Sequence, residues 1–444
     1  MDGDEIRKVV RETNYVTWRR QGGWEPLVVT RAEGSRFWDA AGKEYLDFSS
    51  QLVATNLGHG NARVAEAIAA QAKSVAYAAP SFATEARARA SLALIEVLPK
   101  GVDRLFFGTS GTEANEAALK IARAATGRSK VVARYRSYHG STAASMSVTG
   151  EFRRRSSEKV QKVPGTVFAP DCYCYRCPFG LTYPDCGVAC AEYVDYQISR
   201  EGDVAAMIIE PVVGTNGVIV PVPEYLPRIR EITKKHDVLL IADEVMSAWG
   251  RVGEWFAVNH WNVVPDILTT AKGITGAQIP LGLTATTSAV HDVFRENYFP
   301  HGHTYEAHPL TLAPAVAAIE EYKRLNLIEK SRKDGEYLLA RLKEIQERHP
   351  SVGEVRGMGL FAAVELVKSR KTKEPFNTED DKMAGRPLVI DQVTGAMMKD
   401  GVFCIGWVSH LVVAPPLIVT REEIDRGLAA LDRALAITDA KVAG

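Results

Sequence analysis

The sequence predicts an α/β fold, in which a large domain with a mostly parallel sheet is joined to a small α+β domain formed by both chain ends. The central third of the 444 residues alternates short apolar runs with longer amphipathic stretches. Strand, crossover helix and strand in series give a parallel sheet with helices on both faces. Both chain ends lack this alternation, and the length suits one large domain with a smaller one.

Charge and hydropathy exclude several classes of protein. The chain has 54 Lys and Arg against 54 Asp and Glu, a net charge of zero. This balance argues against a protein that binds nucleic acid or anionic membranes by neutralising phosphates. No apolar run approaches the ~20 residues that span a bilayer, and the charged first residues lack the apolar core of a secretory signal. We therefore expect a cytoplasmic enzyme that binds neither nucleic acid nor membrane.

The cysteines favour a reducing compartment. Five of the six lie between Cys172 and Cys190, and Cys404 stands alone. A secreted disulfide framework would spread its cysteines along the chain. Thiolates in the cluster could bind a metal tetrahedrally, but their spacing is not that of a standard pair of zinc knuckles. Reduced thiols are favoured over a structural metal, a metal is favoured over a stable disulfide, and no metal site is predicted.

In the central region, buried strands alternate with helices. Apolar runs predict strands at 104–107, 130–133, 206–209, 238–241 and 267–269. Apolar residues spaced by three and four predict helices over 112–125 and 223–236. Ligands of such sheets collect at the carboxyl ends of the strands, so the loops after these strands are the first place to seek a site.

The chain ends predict the smaller domain. The N-terminal segment predicts antiparallel strands within 25–48, with turns at Gly34 and Gly42. The C-terminal segment predicts a helix over 338–347, strands near 359–364 and 411–414, a charged surface loop over 368–386 and a last helix over 421–437. We expect residues 1–60 to begin the small domain, 61–325 to form the large domain and 326–444 to complete the small one.

A segment rich in small residues lies between the first central strand and its helix. It runs from Gly108 to Asn115 and includes Ser110 and Thr112. Small residues let backbone N–H groups approach an anion, and the start of a helix carries partial positive charge. The segment can therefore bind a phosphate group, although serine and threonine at this place also act as ordinary helix caps.

Two further strands end in charged residues. The strand at 238–241 leads into Asp243 and Glu244, and the strand at 267–269 leads to Lys272. An acid there can bind a metal, act as a base, pair with a cationic ring nitrogen, or simply cap a helix. A lysine at the end of a buried strand loses solvation, which lowers its pKa and lets the neutral amine form Schiff bases. Most lysines in such places merely extend to water.

Together, a phosphate site, an acid and a reactive lysine are what pyridoxal 5′-phosphate requires. The motifs resemble those of class III aminotransferases, which are pyridoxal-phosphate enzymes of fold type I, close to the taurine–pyruvate aminotransferase branch. The resemblance runs in order from about residue 25 to 430. The motifs that carry it are Ser110 to Asn115, Tyr138-His139-Gly140, Asp243-Glu244-Val245, Ala271-Lys272-Gly273, Gly302 to Tyr305, Arg356 to Leu360, and Ala414 to Leu417.

The resemblance implies roles for individual residues. Lys272 would hold the cofactor covalently and carry the proton during catalysis. Asp243 would pair with the pyridine nitrogen, while Tyr138 and Val245 would contact opposite faces of the ring. The residues implied to hold the phosphate are Ser110, Gly111 and Thr112, joined by Thr304 of a neighbouring subunit in a homodimer or tetramer. Glu210 would play a supporting part, and we expect His139 to be a partly buried histidine bonded to a backbone group.

The resemblance also implies a transaminase that moves an amino group from an ω-amine or ω-amino acid to a small 2-oxo acid, such as pyruvate, by a ping-pong mechanism. The arginine with which relatives bind a substrate carboxylate is missing, since no arginine occurs from Gly401 to Thr420. The expected substrate pocket is Val53, Ser81, Phe82, Thr215 and Ile405, which favours uncharged amines and disfavours 2-oxoglutarate. The alternatives are a taurine- or β-alanine-type enzyme, a mutase or decarboxylase on the same fold, and a non-catalytic binding protein.

Overall fold

A central sheet organises the molecule. In the computed structural model, which describes residues 1–159 and 162–442, this sheet has seven strands. Across the sheet they are Val102–Gly108, Gly282–Thr287, Ile267–Thr270, Leu239–Asp243, Val204–Ile209, Lys130–Arg134 and Thr166–Ala169. Gly282–Thr287 is antiparallel to both of its neighbours, whereas the pairs formed by the next five strands are parallel. The predicted α/β fold with a mostly parallel sheet is therefore confirmed.

Local sequence explains why these segments form. Every residue of Val204–Ile209 is buried, as expected for a parallel strand covered by helices on both faces. The helix Gly111–Thr126 begins at the N-cap Ser110, whose side chain accepts a hydrogen bond from the Glu113 backbone. It ends at Gly127, which has φ 67°, a left-handed conformation that glycine adopts without steric cost. The helix is thereby fixed directly after the first strand.

Helices cover the sheet and connect its strands. The α-helices are Gly3–Thr13, Ser50–Val53, Ala62–Lys73, Glu85–Val97, Gly111–Thr126, Ala143–Ser147, Phe152–Ser157, Ala189–Glu201, Tyr225–Lys235, Ser288–Asp292, Pro309–Arg324, Leu327–Arg348, Glu379–Met383, Val389–Lys399 and Arg421–Asp439. Short 3₁₀ helices lie at Cys174–Arg176, Ala257–Trp261, Lys272–Thr275 and Val293–Arg295. None of the helices in the described ranges is both long and apolar enough to cross a membrane.

Two smaller sheets are built from the chain ends. One contains Val29–Glu33, Arg36–Asp39, Glu44–Asp47 and Val402–Phe403, and the other contains Val352–Met358, Phe361–Ser369, His410–Val413, Ile405–Trp407 and Glu374–Pro375. Val402–Phe403 pairs in parallel with Glu44–Asp47, so the N- and C-terminal regions share a sheet. The domain limits themselves remain a prediction, and residues 443–444 of the last predicted segment lie outside the described residues.

The prediction of a continuous surface loop over 368–386 was wrong. The segment contains Glu374–Pro375, which pairs with Phe361–Ser369, and the helix Glu379–Met383. Thr378 and Asp381 form a capping box at the start of that helix, where each side chain accepts a hydrogen bond from the other's backbone. This cap lets a short charged helix form without a large apolar face.

Candidate active site

A cavity of about 360 Å³ opens at the carboxyl ends of the central strands. It is the place where a parallel sheet binds its ligands. All the predicted cofactor residues except Thr304 line it, namely Ser110, Gly111, Thr112, Tyr138, His139, Glu210, Asp243, Val245 and Lys272. Residues up to 162 positions apart in the sequence thus converge on one site, because they lie at or after the carboxyl ends of neighbouring strands of the same sheet.

The first part of the site is the start of the helix Gly111–Thr126. Ser110 Oγ accepts a hydrogen bond of 3.2 Å from Glu113 N, and Glu113 Oε2 accepts bonds from Thr109 N and Oγ1. Ser110 is therefore an N-cap, and its hydroxyl proton stays available for a ligand. A Cβ at Gly111 would lie 2.8 Å from the Val245 methyl groups, which is closer than side chains pack. Only glycine fits between the loop and Val245.

The second part is the carboxylate of Asp243, which is 3% exposed. His139 Nδ1 lies 2.8 Å from Asp243 Oδ2, and Val245 N donates a bond of 3.0 Å to Oδ1. The prediction of a partly buried His139 whose side chain bonds a backbone group was wrong, because the residue is only 2% exposed and its Nδ1 contacts the Asp243 carboxylate. No described group bonds to its other nitrogen, Nε2.

Sequence reasoning gave no role to Asn115, although it lies in the same helix as the phosphate segment. Its Nδ2 donates bonds of 2.7 Å to Asp243 Oδ2 and to the His139 carbonyl. Its Oδ1 accepts a bond of 2.7 Å from Thr269 Oγ1. Asn115 therefore links the helix to the Asp243 strand and to the Lys272 strand. Its place one turn after Gly111, on the same helix face, is the signal that could have identified it.

The side chains of the adjacent residues Asp243 and Glu244 point in different directions. Asp243 faces the cavity, whereas Glu244 is fully buried and accepts a bond of 2.8 Å from Val258 N. Burial raises the pKa of Glu244 to about 7. Glu244 therefore fixes the loop behind the strand, and Asp243 is the acid available to a ligand.

The third part is Lys272. Its side chain borders the cavity, and its backbone has φ 50°, a left-handed conformation that is costly for a residue with a side chain. Burial lowers the pKa of Lys272 to about 8, although Asp243 and Glu210 oppose the shift. About a tenth of the amine is therefore neutral, and so nucleophilic, at pH 7. This confirms the lowered pKa that the sequence predicted.

Tyr138 and Glu210 form the fourth part. Glu210 Oε1 accepts a bond of 3.0 Å from Tyr138 N, and its Oε2 accepts one of 2.8 Å from Gly214 N. Burial raises the pKa of Glu210 and that of the Tyr138 hydroxyl. Glu210 thus fixes the backbone that presents the tyrosine ring, as a supporting residue would.

Sequence reasoning also missed an arginine beside this ring. The Arg153 guanidinium lies 3.8 Å from the Tyr138 ring centroid and 4.7 Å from that of Trp407. The residue is 6% exposed and forms an ion pair with Glu151. Its Nη2 bonds to no described group. The sequence offered no motif around Arg153 that distinguishes it from a surface arginine.

The expected substrate residues, unlike the predicted cofactor residues apart from Thr304, do not line the cavity at the strand ends. None of the five, Val53, Ser81, Phe82, Thr215 and Ile405, borders the cavity of its own chain. Val53 precedes the lining residue Ala54, and Thr215 Oγ1 lies 3.5 Å from Sδ of the lining residue Met246. Phe82 is 65% exposed, and Thr304 is exposed as well. Their roles remain predictions.

The cysteine cluster surrounds a small cavity lined by Cys172, Cys174, Cys177, Cys186 and Cys190. All six cysteines are free. Within 1–159 and 162–442, no group of three or more potential ligands is arranged to hold a metal ion.

The cavity fits pyridoxal phosphate by three separate observations. The glycine-lined helix start leaves space and hydrogen-bond donors for a phosphate group. The buried Asp243 carboxylate faces the cavity and suits a protonated ring nitrogen. Lys272 presents an amine of lowered pKa for covalent attachment.

Comparison with known proteins agrees with this geometry. The family model for class-III aminotransferases matches residues 19–435. Taurine–pyruvate aminotransferase of Bilophila wadsworthia is 36% identical, covering 99% of both chains. Leucine/methionine racemase of Thermococcus litoralis is 34% identical, covering 93% of this chain and 91% of the relative.

A solved structure is similar over the whole chain. Taurine:2-oxoglutarate aminotransferase from Bifidobacterium kashiwanohense, in complex with PLP and glutamate, has a TM-score of 0.94 and 34% identity. It covers 100% of this chain and 99% of its own. With the motifs, the cavity and the fold in agreement, the chain belongs to the class-III aminotransferase family and is a pyridoxal-phosphate-dependent aminotransferase of fold type I.

Proposed function

We propose that the enzyme moves the amino group of an ω-amine or ω-amino acid to a small 2-oxo acid, pyruvate in particular, in two alternating half-reactions. The observation that carries this proposal is the Lys272 amine of lowered pKa, which borders the same cavity as the buried Asp243 carboxylate. Relatives named as taurine–pyruvate and putrescine–pyruvate aminotransferases support the choice of acceptor.

The residues of the chain divide the work. Bound pyridoxal phosphate supplies the electron sink that lets an amino group pass between two carbons. Asp243, held by His139 and Asn115, keeps a proton on the ring nitrogen. Lys272 Nζ removes and returns the proton at the reacting carbon, which a base with a pKa near the working pH does well. Tyr138, which lines the cavity, would contact one face of the cofactor ring and limit the access of water to it.

The lining of the cavity supports a small acceptor. It contains no arginine among its described residues, and much of it is apolar or small, for example Ala54, Met246 and Ile279. Against this lining, the second carboxylate of 2-oxoglutarate would be buried without an arginine partner from the lining itself, at a cost of several kcal/mol. Pyruvate lacks that group, so we expect it to be the better acceptor.

One observation favours a second candidate, a taurine- or β-alanine-type enzyme. The Arg153 guanidinium is buried against Tyr138 with Nη2 unbonded in the described structure. An arginine in that state is suited to a carboxylate or sulfonate. In this candidate the distal acid of an ω-amino acid donor binds at Arg153, whereas the first candidate prefers simple amines.

The enzyme is also proposed to act as a dimer. Thr304 is exposed and lies outside the cavity of its own chain. Its segment is held by a bond of 3.1 Å from the Tyr77 hydroxyl to the Thr304 carbonyl, which leaves the Thr304 hydroxyl free of that contact. In the dimer this hydroxyl reaches the phosphate site of the second copy.

A panel of donors and acceptors tests the substrate proposal. The donors are a simple amine, putrescine, β-alanine and taurine, each with pyruvate or 2-oxoglutarate. We expect kcat/KM for pyruvate to exceed that for 2-oxoglutarate at least tenfold with every donor. Equal or higher kcat/KM for 2-oxoglutarate would overturn the acceptor proposal.

Arg153→Met separates the two donor candidates, with Arg154→Met as the matched control because Arg154 pairs with Glu158 instead. An increase of KM for taurine and β-alanine alone would establish the second candidate. If Arg153→Met raises KM equally for simple amines, or changes KM for no donor, the first candidate, an enzyme that prefers simple amines, is retained.

A further inference from the structure

A second cavity carries positive charge outside the active site. It has a volume of about 220 Å³, and its lining includes Arg136, Arg176, Arg356, Asn216 and Glu365. We call these five residues and the space they enclose the arginine pocket. Glu379 also borders it but pairs with Arg155.

Two of the three pocket arginines are paired with carboxylates, and Arg136 is paired with none that the structure describes. Arg356 forms ion pairs with both Glu354 and Glu365. Arg176 Nε and Arg356 Nη1 donate bonds of 2.6 and 2.7 Å to the two oxygens of Glu365. Although burial opposes the shift, these two arginines lower the pKa of Glu365 to about 2, so the carboxylate stays charged and is already shared by two cations. Arg136 forms no ion pair within the described residues, and its guanidinium packs over the Tyr173 ring at 5.1 Å.

Two buried donors in the same pocket lack acceptors. Arg176 Nη2 and Asn216 Nδ2 have no hydrogen-bond partner among the described groups, and Asn216 is only 4% exposed. An unpartnered buried donor costs roughly as much as a lost hydrogen bond. A ligand that accepts from both would remove that cost and neutralise Arg136.

We propose that the arginine pocket binds a small oxyanion, the phosphate, sulfonate or carboxylate group of a small molecule. Guanidinium groups bind such groups through paired hydrogen bonds. A volume of about 220 Å³ accommodates one tetrahedral anion or a short acid. The oxyanion accepts from Arg136, Arg176 and Asn216, while Glu365 keeps the pocket from holding more than one negative group.

The pocket is connected to the active site by one turn. Asn216 lies in the turn Gly214–Gly217, whose Gly214 N donates to Glu210 Oε2 at 2.8 Å, and Gly217 O accepts a bond of 2.6 Å from Arg356 Nε. A bound anion therefore contacts the same turn that holds Glu210 in the cavity. The anion is either a separate ligand or the distal group of a long substrate.

The test is isothermal titration of the holoenzyme with sodium phosphate at constant ionic strength, with the cofactor's own phosphate site filled. We expect saturable binding that Arg136→Gln weakens at least tenfold, because one charge-assisted bond is lost, and that Arg136→Lys partly restores. Arg433→Gln is the control, since Arg433 is exposed and pairs with Asp400. Absence of saturable binding, or equal affinity in Arg136→Gln and wild type, would overturn the proposal.

Kinetics with added phosphate identify the source of the anion. If phosphate competes with a donor that carries a distal acid, and Arg136→Gln raises KM for that donor alone, the pocket holds the end of the substrate. If phosphate changes kcat or KM without competing, the anion is a separate ligand. Arg176→Gln repeats the binding test should Arg136→Gln fail to fold.

Discussion

His139 Nδ1 lies 2.8 Å from Asp243 Oδ2, and both residues are almost completely buried. Asn115 Nδ2 reaches the same oxygen at 2.7 Å. Oδ2 of the carboxylate is thus held by two donors from different elements before any ligand binds. Such fixed orientation places the charge where a cationic ring nitrogen needs it.

His139→Ala should reduce kcat by about 10- to 100-fold, because a hydrogen bond to a charged group contributes roughly 1.5–3 kcal/mol. His139→Asn should restore most of the loss, since the asparagine Nδ2 occupies nearly the place of the histidine Nδ1. KM for the amine should change little, as the bond orients Asp243 and does not contact the donor. Steady-state kinetics of both variants decide this. Equal losses in the two variants would show that only the bulk of the ring matters.

Thr304→Ala should weaken cofactor retention without disturbing the fold. The known contact of Thr304 uses its carbonyl, which the substitution keeps, so any effect comes from the hydroxyl. A lost bond to a phosphate should cost about 1–3 kcal/mol of binding free energy. Thr304→Ser is the control that retains the hydroxyl. Cofactor titration measures the affinity for pyridoxal phosphate, and light scattering measures the oligomeric state. An active monomer would contradict a site shared between two subunits.

Lys272 should make the stability of the cofactor-free protein depend on pH. Burial lowers its pKa to about 8, whereas a lysine in an unfolded chain titrates at about 10.4. Between these values the unfolded chain binds more protons, so this contribution to stability rises with pH. Well below pH 8, Lys272 is charged in both the folded and the unfolded chain, so the full cost of burying its charge lowers the stability by a constant amount.

Lys272→Met should therefore be more stable than wild type at pH 7, by on the order of 1–3 kcal/mol once partial screening by water in the cavity is included. The advantage should shrink towards pH 10. Urea unfolding of both cofactor-free proteins at pH 7 and pH 10 measures it, with Lys234→Met as the control for an exposed lysine. If Lys272→Met is more stable than wild type by the same amount at both pH values, the lowered pKa of Lys272 would be contradicted.

The strand-end residues were predictable from the sequence for a physical reason. Asp243 ends one buried strand and Lys272 closely follows another, and parallel strands bring their carboxyl ends to one edge. Arg153 and Asn216 were not predictable in this way. Their importance depends on which buried donors lack acceptors, and that depends on how separate loops pack. Asn115 lies between these cases, because its helix was predicted but its three partners were not.

The His139 prediction failed for a related reason. A histidine after a strand commonly bonds a backbone group, and the sequence does not reveal that the Asp243 carboxylate lies on the same side of the sheet. The dispersed substrate residues illustrate the same limit. Phe82 and Thr304 are exposed in one chain, so the roles predicted for them require the proposed dimer.

A single-turnover experiment tests the central claim, that Lys272 and Asp243 carry out transamination in this cavity. Holoenzyme is mixed with excess amine and no acceptor, and the carbonyl product is counted before and after pyruvate is added. We expect one carbonyl product per active site, renewed turnover once pyruvate is added, and a rate lower by several orders of magnitude in Lys272→Ala. Repeated turnover without an acceptor, no carbonyl product in wild type, or near wild-type rates in Lys272→Ala would contradict this claim.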